Sequence, residues 1–140
     1  DIAVIYYVFD KLNSKSVFPG NSIDLFQIRK YKTMTHNIEH FLPQKGKDAE
    51  KAGDLIHSIG NLLVLHRKDN SKLGNKNPDQ KFKELKKLLE DSKIQNKPYL
   101  YDFIKFYEEN CDGKWNVKLI DKRAKKIAEE IYDIVDYTKA

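Results

Sequence analysis

The sequence predicts an α+β domain that is mostly helical, with a small two-stranded β unit in its first half. Three observations carry this. Apolar residues recur at helical spacing in three separate stretches beyond residue 78. Two short apolar runs, residues 38–42 and 62–66, are bounded by turn or breaker residues instead of continuing into helices. The length, 140 residues with 40% of them apolar, is that of one domain with a real core.

In chain order, residues 2–12 are apolar and aromatic with a stripe at Ile2, Ile5, Phe9 and Leu12, which reads as a buried helix. Residues 13–22 hold Pro19, Gly20 and Asn21 and read as a loop. Residues 23–30 fit a short helix or an extended piece. The second half of residues 33–42 reads as a strand that stops at Pro43. Residues 44–53, polar with two glycines, read as a long exposed loop. Leu62, Leu63, Val64, Leu65 and His66 follow the turn pair Gly60-Asn61 and form the second strand. A basic, Asn-rich segment follows, with Asp69 as the expected N-cap of a short helix carrying Asn70. From Pro78 the pattern is helical, with Phe82, Leu85, Leu88 and Leu89 on one face. Residues 98–110 form a second helix with a Tyr/Phe-rich face that reads as core. Residues 117–137 form the clearest helix, striped by Val117, Ile120, Ala124, Ile127, Ile131, Ile134 and Val135. Two strands are not a stable sheet alone, so this pair must pack on helices.

Composition narrows the function classes. No run approaches the ~18 apolar residues of a membrane span. Cys111 is the only cysteine, which excludes an internal disulfide and multi-cysteine zinc fingers and fits a reducing, cytoplasmic setting. The first residue is Asp1, so the chain reads as a piece of a longer protein or a processed one. The net charge of +5 is localised: residues 65–97 hold ten Lys/Arg against five Asp/Glu, and the rest of the chain is balanced. Such a block is either a solvated helix face or a footprint for a polyanion.

The chemistry-bearing residues lie close together in sequence. Glu39 and His40 adjoin inside IEHFLPQ at residues 38–44, Gly60-Asn61 open the second strand, and Asn70 follows it. Hydrolysis of a phosphodiester needs a base to take a proton from water and a cation to neutralise charge on the phosphate. A neutral imidazole is such a base near neutral pH. Carboxylate and amide oxygens suit a hard ion such as Mg²⁺. A strand, loop, strand and short helix can bring the three groups together. Neighbours on a regular strand point to opposite faces, so Glu39 and His40 can share a site only where the strand ends or distorts; Pro43 marks such an ending.

These same segments, IEHFLPQ, then HSIGNLLVL at residues 57–65 and DNSKLGNK at residues 69–76, resemble the HNH nucleases, also called His-Me finger or ββα-metal. More narrowly, they resemble the HNH domain at the C-terminal end of GmrSD-type modification-dependent restriction enzymes and related phage-defence proteins. Trp115-Asn116 and Arg123-Ala124 extend the likeness, which spans residues 1–137. The resemblance implies one nuclease domain over residues 1–140 with a ββα core at about 34–77. It implies His40 as general base, Asn61 as the residue fixing the loop and helping orient the imidazole, and Glu39 and Asn70 as ligands of Mg²⁺, Mn²⁺ or another divalent ion. Glu39 stands where the wider superfamily usually has Asp, which lengthens the ligand arm. His57 matches a histidine of this branch whose role the resemblance leaves unassigned. Arg67, Lys72, Lys76 and Lys81 flank the site and are expected on DNA phosphates. The implied partners are DNA and an N-terminal domain that binds nucleotide and senses modified DNA.

Two alternatives accompany this reading. One is a catalytically silent module of the same fold that binds nucleic acid or a protein. The other is a zinc site of His36, His40, His57 and His66, whose spacing matches no defined zinc pattern.

Overall fold

The computed structural model describes residues 36–90 and 98–135. The expected helix at 2–12, the loop at 13–22 and the segment at 23–30 lie outside these residues, as does the end of the last helix beyond residue 135. Labels below number the described elements.

Strand β1 (His36–His40) pairs antiparallel with β2 (Leu62–His66), His36 opposite His66 and His40 opposite Leu62. Between them lie helix α1 (Lys47–Ala52) and two 3₁₀ turns, Gly53–His57 and Ile59–Asn61. Helix α2 (Arg67–Leu73) starts directly after β2. Helices α3 (Pro78–Glu90), α4 (Pro98–Asn110) and α5 (Val117–Val135) follow. The α+β, mostly helical expectation holds.

β2 is covered on both sides, which is how a two-stranded sheet survives here. Leu63 and Leu65 enter the main core with Leu73, Leu85, Leu100, Phe103 and Trp115. The alternate residues Leu62 and Val64 pack against Ile127, flanked by Ile38, Ile59 and Ile131. Period-two alternation therefore sends each set to a different helical layer.

Phe41, fully buried just past β1, is the hub of an aromatic cluster, with ring centroids 4.7 Å from Phe103 and 5.2 Å from Trp115. It fixes the end of β1 on α4 and on the turn before α5. Such edge-to-face pairs contribute about 0.5–1.5 kcal/mol each beyond their burial.

Two local expectations are corrected. Residues 44–53 are not simply a loop: α1 forms there because Ala49 and Ala52 offer a small buried face, and positive-φ Gly46 and Gly53 bracket it. Asp69 is not an N-cap; α2 begins at Arg67, placing Asp69 inside the first turn and buried.

Candidate functional site

Glu39 and His40 border one cavity of about 280 Å³, shared with Pro43, Gln44, Gly74, Asn75 and Lys81. The strand ends at His40, and the chain leaves it into the turn before Pro43. This answers the objection that strand neighbours face opposite ways: the cavity lies at the strand's end, where both residues line it.

Asn61 explains why the chain turns there. It is fully buried and every polar group of its side chain is engaged. Its Oδ1 accepts from Leu42 N at 2.8 Å and from the Trp115 indole N–H at 3.3 Å. Its Nδ2 donates to Leu42 O at 3.1 Å and Ile56 O at 2.9 Å, and its carbonyl accepts from Phe41 N at 2.9 Å. Asn61 thus pins the two residues after His40 to the second 3₁₀ turn. It is a positioning residue: all its hydrogen-bonding capacity goes to this scaffold and none is left for a substrate.

Both ring nitrogens of His40 have side-chain neighbours. Nδ1 lies 3.1 Å from the Gln44 amide nitrogen, and Nε2 lies 3.1 Å from Nδ1 of His57. The two imidazoles meet edge to face, centroids 5.1 Å apart. Burial first, then the neighbouring His57 and the Lys81 ammonium, hold the His40 pKa below its ordinary value. An imidazole so placed favours its neutral form.

Lys81 is the main correction. It was expected on the surface against phosphate, but it is 1% exposed. Its ammonium donates to Glu39 Oε1 and to the carbonyl of His40 at 2.8 Å. The helical stripe of α3 is the reason, since Lys81 precedes Leu85 and Leu88 on the buried face. Desolvation raises the Glu39 pKa and outweighs the opposing pull of Lys81. Arg67, Lys72 and Lys76 do lie exposed, on α2 and the turn after it. Lys76 also donates to Lys72 O at 3.0 Å and lies 3.9 Å from Glu84.

Asn70 sits on α2, which packs against both strands. Its Oδ1 is buried without a hydrogen-bond partner. An orphaned buried amide oxygen is costly, and a bound cation would satisfy it. The Asn70 amide oxygen and the Glu39 carboxylate are each hard donors of the type Mg²⁺ or Mn²⁺ takes. The donor types fit a divalent ion, while Asn70 is not among the residues lining the cavity and Lys81 already contacts one Glu39 oxygen. Among the described residues, no three His, Cys, Asp or Glu side chains form a metal-binding cluster. His36 and His66 are cross-strand partners, and their side chains lie outside the described set.

Three contributors went unread in the sequence as parts of the site: Gln44, Trp115 and Arg123. Arg123 is 5% exposed, and its Nη1 donates to the carbonyls of Gly60 at 3.1 Å and Leu62 at 2.9 Å. Its guanidinium also stacks 4.8 Å from the Phe103 ring centre. Burial pushes its pKa down to about 9, still charged at neutral pH. The available signal was its spacing: Arg123 falls three residues after Ile120 and four before Ile127, on the apolar stripe of α5.

A buried Asn ties the end of a strand to a 3₁₀ turn, a histidine stands at that end, and a short helix packs on both strands, a strand–strand–helix arrangement. The chain belongs to the family of GmrSD restriction endonuclease C-terminal domains, whose model matches residues 3–130. No curated protein and no solved structure gives a significant match.

Proposed function

We propose that this domain is a divalent-metal-dependent DNA endonuclease acting in restriction of foreign DNA. The observation that carries the reading is the placement of Glu39 and His40 on one cavity at the end of β1, with His40 held neutral. Family membership supports nuclease chemistry.

In this mechanism His40 takes a proton from a water in the cavity. The water oxygen bonds to phosphorus and the bond to the leaving sugar oxygen breaks, that oxygen finally taking up a proton. Glu39 and Asn70 would hold a divalent ion, which would supply charge neutralisation on the phosphate and the leaving oxygen. Lys81 keeps the Glu39 carboxylate in place, and Asn61 keeps the strand end closed over the second 3₁₀ turn. Arg67, Lys72 and Lys76 contact phosphates, giving affinity without sequence choice. Target choice belongs to a nucleotide-binding, modification-sensing domain N-terminal to this one, in a cytoplasmic protein.

One observation favours a second reading. The Lys81 ammonium already neutralises Glu39 and occupies one of its oxygens, as in a silent, DNA-binding module that holds no metal. Incubation with supercoiled plasmid and Mg²⁺ or Mn²⁺, with a chelator control, separates the two. Metal-dependent nicking that His40→Ala lowers by about 10²–10⁴-fold supports the nuclease. Plasmid binding without nicking, alone and with the N-terminal domain restored, supports the silent module.

A further inference from the structure

Resting on the nuclease reading, we propose that His57 is the positioning residue that sets the tautomer of His40, leaving the His40 Nδ1 lone pair directed at the cavity.

A base works through one ring nitrogen, and the other must carry the proton. Two side chains flank the His40 ring, and they lie on different sides of the site. Gln44, beside Nδ1, lines the cavity with Glu39 and Lys81. His57, beside Nε2, is not among the cavity-lining residues. Nδ1 is therefore the nitrogen a cavity water would meet, and Nε2 faces away.

With the Gln44 amide nitrogen toward the ring, the contacts define a proton arrangement. The Gln44 amide nitrogen has only hydrogens to offer, so it donates to Nδ1, which must be bare. The proton of neutral His40 then sits on Nε2 and is donated to His57 Nδ1 at 3.1 Å. In this proposal His57 Nδ1 is the acceptor of the pair. Gln44 occupies the position of the attacking water at Nδ1, and its exposed side chain can give way to that water. Reversing the Gln44 amide would reverse every donor in the chain, put the proton on Nδ1 and disable the base on the cavity side. The nitrogen at the back of a catalytic or ligating histidine is commonly held by a partner that fixes its tautomer. Here that partner is an imidazole carried by the first 3₁₀ turn, whose last residue is His57. Asn61 holds this turn through its bond to Ile56 O, so the positioning runs from the core to His40 through one residue.

The test is nitrogen-15 NMR of the histidine rings in the complete chain near neutral pH, without metal or DNA. It compares wild type with His57→Phe, which keeps a ring for the edge-to-face contact but cannot accept, and His57→Gln, which can accept through its amide oxygen. His57→Ala is the fallback should the Phe variant misfold. Wild-type His40 is expected to show a protonated Nε2 and a bare Nδ1. His57→Phe is expected to show mixed tautomers, and His57→Gln to restore the wild-type pattern. In plasmid nicking, His57→Phe should lower kcat by about 10–100-fold with KM unchanged, and His57→Gln should recover most of it. A protonated Nδ1 in wild type, or an unchanged His40 tautomer in His57→Phe, overturns the proposal whether or not the chain cuts DNA. Tautomers as expected with no cleavage by any variant, alone and with the N-terminal domain restored, would support the His57 assignment and overturn the nuclease reading instead.

Discussion

At the residue scale, the site joins one carboxylate and one imidazole pushed in opposite directions. Burial raises Glu39 and lowers His40. For His40 the sign is direct: a folded pKa below the ordinary 6.5 keeps the base neutral at more acidic pH. The acid limb of a pH–rate profile for nicking should therefore lie below pH 6.5. A limb above that value would show that the imidazole is not desolvated as described. The same depression means the folded state resists protonation of His40, so its contribution to stability is present above pH 6.5 and lost as pH falls through the lower folded value. Asn61 acts through geometry instead. Asn61→Ala strands Leu42 N, Leu42 O, Ile56 O and the Trp115 indole N–H in the core. The expected loss is on the order of 3 kcal/mol in a urea titration, since each buried orphan costs about 1–3 kcal/mol and some will find new partners. A loss below the uncertainty of the titration would mean the scaffold does not depend on this clamp.

At the element scale, the second 3₁₀ turn is pressed into α5. A Cβ on Gly60 would stand 1.9 Å from Ile120 O and 2.9 Å from Ala124 N, both backbone atoms that cannot swing aside. Arg123 draws the same turn inward through Gly60 O and Leu62 O. Gly60→Ala must part the turn from the helix and is expected to cost about 1–3 kcal/mol or more, read as a lowered melting temperature. Because this turn carries Asn61, nicking should fall with it. An Ala variant as stable as wild type would contradict the close approach.

On the scale of the whole molecule, charge separates into two roles. Lys81 and Arg123 are buried and organise the interior, whereas Arg67, Lys72 and Lys76 stand exposed beside the ββα unit. Only the exposed set can release counterions from DNA. Replacing Arg67 or Lys72 with Ala should weaken DNA binding about equally for any sequence and lower the salt slope, log Kd against log salt, by about 1 each. An unchanged slope would place the DNA elsewhere on the surface. Among the described residues, no helix is long and apolar enough to cross a membrane.

The sequence by itself determined much of this. Periodicity located both strands and the helices at 78–90 and 98–110, because these depend on local spacing of apolar residues and on breakers such as Pro43 and Pro78. The ordered segments around Glu39-His40, Asn61 and Asn70 pointed to the family, which the match over residues 3–130 bears out. The apolar stripes of α3 and α5 mark Lys81 and Arg123 as facing inward, but tertiary structure decided what each meets there. Lys81 and Lys83 are both lysines on α3, yet Lys81 faces Glu39 and the strand end while Lys83 faces solvent, 3.2 Å from Asp79. It likewise decided that Gln44 and His57, four and seventeen residues from His40, flank opposite nitrogens of one ring. Burial and hydrogen-bond partners arise from packing between elements distant in sequence, and no local pattern encodes where those elements meet.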